Sequence, residues 1–476
     1  PHHRGAHIRS SPGRRWPVIV LVAALALTTT IAVTGCSDTG VNVDDEPTVR
    51  WATRSTKDGF EVSRNGGPWT EFWPIGVNFG MAVPGHSPGE FLATPAQMKR
   101  WLNIAADSGA NCVRIYTVQS PEFYRELRKY NLEHEDAPLL LLQGVWVKEP
   151  EGYGPDYLGE TTAVWVRDEI DKVVDAVYGD IVIPHGSKER PMNYGRAFGR
   201  FDADISPWLL GWLFGRELEP YTLEVTYAKH VDATTSYKGK HLSLDGTNAI
   251  EPWVVQMLDQ IVARELSKYK KQHPIGYSNW PTLDPLHHWT EPKIPISAED
   301  TYKVDLEPSV ESGGYDAGVF MSYHAYPYYP DFILYQPEYQ GATDKHGKFS
   351  YIGYLEALRE HHANHALIVS EIGHPSSLGN GHQSPSGQDH GGLSEQQQGP
   401  AVLRSLGAIA KAGLHGAMVF AIIDEWFKRA WVVERVELPA SRRRMWHNLM
   451  NPEQNFGLIA LSAGKLSTHK VLDGKD

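Results

Sequence analysis

Two glutamates follow strand-like apolar segments in distant parts of the chain. Glu217 lies in WLLGWLFGRELEP and Glu371 lies in ALIVSEIGHPSS, each where an apolar run meets a segment with Gly or Pro. A (β/α)8 barrel presents catalytic acids in this way, at the carboxyl ends of its parallel strands. Two such carboxyl groups predict cleavage of a glycosidic bond. One protonates the leaving oxygen, and the other attacks the anomeric carbon or activates water.

The first glutamate has a competitor. Glu219 lies two residues after Glu217 and would also be near the mouth of a barrel. The tighter placement of Glu217 against the apolar run favours it as the catalytic residue. A single glutamate at a strand end is often only a helix cap or an ion-pair partner, so the interpretation depends on the pair.

The elements that must position this pair alternate between strands and helices from Trp51 onward. The fold class is therefore predicted as α/β, a (β/α)8 TIM barrel with insertions in the βα loops, because parallel neighbours need crossover helices. Thr94 with Gln97, and Ser394 with Gln397, predict capping boxes at two helix starts. The strands are expected at residues 72–79, 112–116, 138–147, 208–214, 274–278, 319–323, 367–370 and 416–423. Residues 148–200 are interpreted as an insertion over the mouth, and 378–393 as a mobile loop.

The chain begins with a segment typical of export. Arginines precede an apolar run over residues 17–33, and Val33-Thr34-Gly35-Cys36 resembles the lipobox of bacterial lipoproteins. This resemblance implies a signal peptide over residues 1–35, lipid attachment at Cys36 and an extracytoplasmic, membrane-anchored protein. Residues 36–50 are expected to be a flexible tether, and 51–476 the glycosidase-like domain. An uncleaved transmembrane anchor is the alternative, although the run is short for a span.

Composition limits the partners. The 476 residues include 15 Trp and 22 Tyr, which suit stacking on sugars but also suit a large aromatic core. The net charge of −12 becomes more negative without residues 1–35, so nucleic acid and anionic membrane surfaces are poor partners. A carbohydrate substrate is expected, while the oligomeric state stays open.

No cofactor or metal is predicted. The sequence has neither a phosphate-cradling glycine loop nor a dinucleotide fingerprint, and only Cys112 remains once Cys36 is lipidated. His361 and His365 are four residues apart near the end of a predicted helix, with His362 beside them. They lack the glutamate of a metalloprotease motif and are interpreted as a solvated face.

The order of these motifs over residues 70–430 resembles the clan A glycoside hydrolases, retaining (β/α)8 enzymes that include many cellulases, mannanases and β-galactosidases. The resemblance implies that Glu217 is the acid/base and Glu371 the nucleophile. It implies that Arg114 supports the nucleophile, with Tyr116 beside it. The other expected substrate-binding residues are Asn78 in Gly76-Val77-Asn78-Phe79, His324 and Tyr326 of a His-x-Tyr motif, Trp426 as a sugar platform, and Asn279 and Trp280 as subsite walls.

The sequence departs from the clan at two positions. Arg216 precedes the acid/base where the clan usually has Asn, and Gln143-Gly144-Val145-Trp146 ends the third strand where many members place a His. Arg216 either contacts a different sugar through its forked donors or points away and pairs with an acid. The main hypothesis is a retaining glycoside hydrolase. The alternatives are a transglycosidase using the same site and an inactive carbohydrate-binding lipoprotein.

Overall fold

Eight parallel strands close into a barrel in the computed structural model, which describes residues 42–152, 154–187, 195–291, 300–439, 442 and 447–461. We number them β1 (Ile75–Asn78), β2 (Cys112–Ile115), β3 (Leu140–Val145), β4 (Leu209–Phe214), β5 (Ile275–Asn279), β6 (Val319–His324), β7 (Ala366–Ile372) and β8 (Ala417–Val419). Each strand pairs with its neighbours in chain order, and β8 pairs with β1 to close the ring. The predicted (β/α)8 barrel is confirmed. The predictions for residues 1–35 and for Cys36 lie outside the described residues.

Helices surround the barrel. They are α1 (Pro95–Asp107), α2 (Pro121–Glu133), α3 (Glu160–Val177), α4 (Pro220–Lys229), α5 (Ile250–Tyr269), α6 (Asp331–Tyr335), α7 (Ser350–His361) and α8 (Glu395–Lys411). Both predicted capping boxes are present, at Thr94 with Gln97 and at Ser394 with Gln397. Within the described part of the chain, no helix has both the length and the apolar character needed to cross a membrane.

Short antiparallel sheets form outside the barrel. One contains Trp51–Thr56, Gly59–Arg64 and Trp69–Phe72, and another contains Ser236–Lys238, Leu242–Asp245 and Val310–Glu311. Two hairpins pair Ile181–Ile183 with Gly199–Phe201 and Thr343–Asp344 with Gly347–Lys348. The predicted insertion 148–200 therefore contains the crossover helix α3 followed by a hairpin.

The first sheet closes the amino-terminal end of the barrel. Its Ser55 amide donates to the carbonyl of Ala317 just before β6, and Phe60 packs edge-on against Phe320 with ring centroids 5.1 Å apart. Phe60 is almost fully buried, and burying a phenylalanine stabilises a fold by about 1.5–3 kcal/mol. With this end closed, the carboxyl ends of the strands form the accessible mouth.

The segment before this sheet is more ordered than a flexible tether would be. Arg128 of α2 donates from Nε to the carbonyl of Val43 at 2.6 Å and from Nη2 to that of Asp45 at 2.7 Å. The amide of Thr48 donates to Glu135 at 2.5 Å. Residues 43–48 are thus fixed against α2, because their backbone polar groups have protein partners. The prediction of a flexible tether is wrong for this part of residues 36–50.

Candidate active site

A sharp turn after β4 places Glu217 at the mouth. Gly215 has a φ of 97°, and a Cβ atom there would lie 2.8 Å from the ring of Tyr277. Both facts require glycine, since side chains rarely adopt this φ and the ring leaves no room. The turn leads directly through Arg216 to Glu217, whose side chain is 39% exposed.

A bulge in β7 orients Glu371. Tyr323 pairs with Val369 but the next residue, His324, pairs with Glu371, so Ser370 is an extra residue in β7. Bulges at barrel rims redirect side chains beside active sites. Here the bulge brings the Glu371 carboxylate to the floor of the mouth, where the residue is only 8% exposed.

Three donors hold the Glu371 carboxylate. Tyr116 donates from its hydroxyl to Oε1 at 2.6 Å, Tyr326 donates to Oε2 at 2.9 Å, and Arg114 Nη1 lies 3.4 Å from Oε1. Burial alone would raise the pKa of Glu371. The nearby charges of His324 and Arg114 outweigh that effect and lower this pKa below its ordinary value. The carboxylate is therefore kept ionised, as a nucleophile requires.

Asn78 and Arg114 act from beneath the floor. Asn78 is fully buried, accepts from Arg114 Nη1 at 3.1 Å and donates to the carbonyl of Ser370 at 3.0 Å. Arg114 is 2% exposed and also donates to that carbonyl at 2.9 Å. Arg114 thus lies where the prediction that it supports the nucleophile requires. The prediction that Asn78 contacts substrate is not supported, because Asn78 lines neither cavity of the mouth and positions Glu371 from below.

His324 connects the two glutamates. Its Nδ1 atom is 2.8 Å from Glu217 Oε1, and its Nε2 atom is 2.9 Å from Ser278 Oγ and 3.4 Å from Glu371 Oε1. A carboxylate oxygen of Glu217 and one of Glu371 lie within 4.8 Å of each other and of the imidazole. The structure thus brings together the two glutamates that the sequence singled out.

The mouth divides into two adjoining cavities that share Glu217, His324, Glu371, Phe420 and Lys428 as lining residues. The large lobe has a volume of about 930 Å³ and the small lobe about 330 Å³. Tyr116, Trp146 and Arg216 are among the residues that line the large lobe, and Trp280, Tyr326 and Trp431 are among those that line the small lobe. The glutamate pair lies where the lobes meet.

Arg216 pairs with acids, as one of the two alternatives from the sequence requires, but it does so while facing the cleft. Its guanidinium lines the large lobe and lies over the ring of Trp146, 5.2 Å from the centroid. It is also 3.9 Å from Glu149 and 3.7 Å from Glu219, and its Nε donates to the carbonyl of Glu217 at 3.1 Å. Arg216 therefore faces the cleft while two acids and an aromatic ring fix its position.

Two further residues predicted to bind substrate also lie outside the cleft lining. Trp426 is 2% exposed and donates from Nε1 to the carbonyl of His86 at 2.9 Å. Its prediction as a sugar platform is not supported, because β8 ends at Val419 rather than at residue 423 and the next residue, Phe420, lines both lobes. Asn279 is buried and donates to the carbonyl of Val304 at 3.0 Å, so it braces its loop rather than forming a wall.

Sequence reasoning missed Lys428, which lines both lobes. Its ammonium group is 3.5 Å from Glu425 Oε2 and 4.0 Å from Glu453 Oε2. Burial would lower the pKa of Lys428, but the carboxylates of Glu425 and Glu453, with those of Glu371 and Glu217, raise it above its ordinary value. The sequence indicates this role only by placing Lys428 three residues after Glu425, in the loop that follows β8.

Two groups of described residues bring three potential metal-ligand atoms within 4.8 Å of one another. One is Glu217, His324 and Glu371, which Arg114 and Lys428 flank with positive charge. The other is Asp305, His361 and His362. These three already pair within the protein, because His361 Nε2 is 2.9 Å from Asp305 and His362 Nε2 is 2.8 Å from the Tyr323 hydroxyl.

The predicted solvated histidine face is wrong at two of its positions. His362 is fully buried and His365 nearly so, and the Nδ1 atom of each is 3.1 Å from Glu307 Oε2. Helix α7 ends at His361, so His365 lies beyond the helix rather than one turn along it.

Comparisons with known proteins give matches among solved structures alone. No protein-family model matches the sequence, and no curated protein matches it. An endo-laminarinase from Formosa Hel1_33_131 is similar with a TM-score of 0.47 and 14% identity, over 82% of this chain and 84% of that one. A Bacteroides uniformis beta-glucuronidase is similar with a TM-score of 0.45 and 14% identity, over 86% of this chain and 35% of that one. The exo-beta-1,4-mannosidase Op5Man5 from Opitutaceae bacterium strain TAV5 is similar with a TM-score of 0.44 and 14% identity, over 83% of this chain and 57% of that one. This chain thus spans about a third of the glucuronidase and 57% of the mannosidase.

Proposed function

We propose that this protein is a retaining glycoside hydrolase of an oligo- or polysaccharide, with Glu371 as nucleophile and Glu217 as acid/base. One observation carries the proposal: Glu217 follows β4, Glu371 lies near the end of β7, and one oxygen of each carboxylate lies within 4.8 Å of the other where two lobes of a cleft meet. Retaining enzymes keep their carboxyl groups about 5–5.5 Å apart, whereas inverting enzymes need about 6.5–9.5 Å to admit a water molecule.

In the first step, a Glu371 oxygen attacks the anomeric carbon. The bond from that carbon to the glycosidic oxygen breaks, and Glu217 gives its proton to the departing oxygen. The sugar is left esterified to Glu371, and Glu217 becomes a carboxylate. The hydrogen bonds from Tyr116 and Tyr326 hold the nucleophile in place before the attack.

In the second step, Glu217 takes a proton from water while the water oxygen attacks the anomeric carbon. The bond to Glu371 breaks, which restores the carboxylate and retains the anomeric configuration. His324 lies within 2.8 Å of Glu217 and 3.4 Å of Glu371, so a single imidazole orients both participants. Trp146 lines the large lobe and Trp280 lines the small lobe, so each places an aromatic side chain beside a bound sugar chain.

The test compares the wild type with Glu217→Gln and Glu371→Gln on a panel of glycans, with sugar release and product anomer followed by NMR. Both variants should lose at least about 10³-fold in kcat while still binding the glycan. Glu219→Gln is the matched control, because Glu219 is two residues from Glu217 and exposed. Initial release of the opposite anomer would contradict retention. Binding without any release from the wild type would favour the carbohydrate-binding alternative, and products longer than the substrate would identify transfer to another sugar.

We further propose that Cys36 carries a lipid and anchors the protein outside the cytoplasm. The proposal is based on the apolar run that ends in Val33-Thr34-Gly35-Cys36. Expression in a bacterial host with a labelled fatty acid should give a labelled membrane protein. Cys36→Ser should remove the label, with Cys112→Ser as the control, and label retained in Cys36→Ser would contradict the proposal.

A further inference from the structure

The small lobe has a wall built from stacked rings. Tyr328 stacks on His390 with centroids 4.8 Å apart and an interplanar angle of 4°, and His390 stacks on His382 at 5.5 Å and 15°. Trp431 meets His382 edge-on at 6.1 Å. The four rings line the lobe in sequence from its buried interior, at Tyr328, to its exposed rim, at Trp431.

Hydrogen bonds fix this wall to the rest of the protein. His390 Nε2 is 2.9 Å from Glu453 Oε1, and the pKa of Glu453 is lowered because this hydrogen bond and the charge of Lys428 outweigh the effect of burial. The segment that carries both histidines closes on itself, since the Gly381 amide donates to the carbonyl of His390 at 2.8 Å. The predicted loop 378–393 thus has a defined conformation, in which His382 and His390 line the small lobe.

As formed by the described residues, the large lobe extends further from the glutamate pair than the small lobe does. Its lining extends from the glutamate pair past Trp146 of the loop after β3 to Phe91 and to Trp165 of α3. Its volume of about 930 Å³ is close to three times that of the small lobe, at about 330 Å³. Sites for single drug-sized ligands occupy about 300–1,000 Å³, so the small lobe is near the lower limit and the large lobe near the upper one.

We propose that the small lobe is a terminal subsite that holds only one or two sugar residues. The enzyme would then act at a chain end of its oligo- or polysaccharide and release a short product of fixed length. The inference rests on the proposed function, because it assumes that Glu217 and Glu371 cut where the lobes meet. The wall of Tyr328, His390, His382 and Trp431 sets the product length.

The test uses the glycan that the wild type cleaves, as hexamer and heptamer labelled at the reducing end. Product lengths are read by mass spectrometry in the first few per cent of conversion. We expect one short product of one or two residues from both substrates, and the label shows from which end it comes. The double variant His382→Ala, Trp431→Ala should open the wall and give a mixture of lengths. Trp289→Ala is the control, because Trp289 is exposed and outside both linings.

The outcomes separate this inference from the function on which it rests. A ladder of product lengths from the wild type would overturn the terminal subsite and leave glycoside hydrolysis intact. An unchanged short product from a folded, active double variant would likewise overturn the role of the wall. No release from any glycan would overturn the proposed function, and the inference with it.

Discussion

The hydroxyl of Tyr326 donates a 2.9 Å hydrogen bond to Oε2 of Glu371. The hydroxyl of Tyr116 donates a hydrogen bond to the other oxygen, Oε1, at 2.6 Å. Both oxygens of this nearly buried carboxylate therefore accept from a neutral phenol. Burial and the charge of Glu371 raise the pKa of both tyrosines well above the ordinary value, so both remain protonated donors. A hydrogen bond donated to a charged carboxylate favours the charged form.

Removing one phenol should therefore weaken the nucleophile and raise its pKa. We expect Tyr326→Phe to lower kcat/KM about 10–100-fold, less than the roughly 10²–10³-fold for loss of one oxyanion-hole donor, because Tyr116 and Arg114 still hold the carboxylate. The acid limb of the kcat/KM profile should move to higher pH, because activity requires ionised Glu371 and its pKa has risen. The measurement is kcat/KM against pH on a cleavable glycan.

Tyr329→Phe is the control for this change. Tyr329 lines the same small lobe, but its ring packs beside His382. It should leave the acid limb in place. An unshifted limb in Tyr326→Phe, with activity lowered, would show that Tyr326 acts on the substrate and not on the protonation of Glu371.

Lys428 should affect the same limb through charge rather than through a hydrogen bond. Its positive charge contributes to lowering the pKa of Glu371, after the effects of burial, His324 and Arg114. Lys428→Met keeps much of the side-chain volume and removes the charge, so the acid limb should again move to higher pH. High salt should reduce this pH shift only partly. Salt screens charges on the open surface more strongly than charges within a cleft, and Lys428 lies within the cleft.

Lys148→Met is the matched control, because Lys148 lines the large lobe but pairs with Glu151 at 2.9 Å on the surface. It should leave the limb unchanged. Equal shifts in the two variants would mean that the general charge of the cleft, and not the position of Lys428, determines the pKa of Glu371.

Local patterns were sufficient to predict the barrel and the glutamate pair. The segment that contains β7 begins with an apolar run, as a strand buried on both faces requires, and carries a glutamate two residues before a glycine. Capping boxes at Thr94 and Ser394 marked helix starts through contacts three residues apart. Such signals are read correctly because the interacting residues are neighbours in the sequence.

Long-range contacts decided what the sequence could not show. Trp426 has the type and position of a sugar platform, yet its indole is used to bond the carbonyl of His86 in another loop. His362 was assigned to a solvated face because nothing local indicates that Tyr323 and Glu307 enclose it. In each case the hydrogen-bond partner that determines the position of the side chain is distant in the sequence. Hydrophobic periodicity therefore could not predict the contact.

Asp424 makes stability depend on pH in the described fold. Burial raises the pKa of Asp424 to about 7, although the amides of Gly457 and Leu461 donate to its carboxylate and oppose the shift. The folded state therefore binds a proton that the unfolded state, with a pKa of about 3.9, releases. The resulting stability is fully present below about pH 4 and is lost as pH rises to about 7, by up to about 1.4 kcal/mol per pH unit.

Urea unfolding at pH 5 and pH 7 measures this effect. Between these values the wild type should lose about 1–3 kcal/mol more of its unfolding free energy than Asp424→Asn, whose amide does not titrate. Asp245→Asn is the control, because Asp245 is exposed. The same pH dependence in wild type and Asp424→Asn would show that Asp424 is ionised throughout this range.

Arg216 is the residue at which this cleft differs most from the pattern of the clan that its sequence resembles. We expect Arg216→Ala to raise KM about 10-fold, the equivalent of about 1.4 kcal/mol, because the guanidinium lines the large lobe beside Trp146. If Arg216 instead serves only to neutralise Glu149 and Glu219, the double variant Glu149→Gln, Glu219→Gln should remove the effect of Arg216→Ala. Michaelis kinetics of the single, double and triple variants form the cycle that distinguishes these roles. A KM penalty that persists without the two acids assigns Arg216 to the sugar.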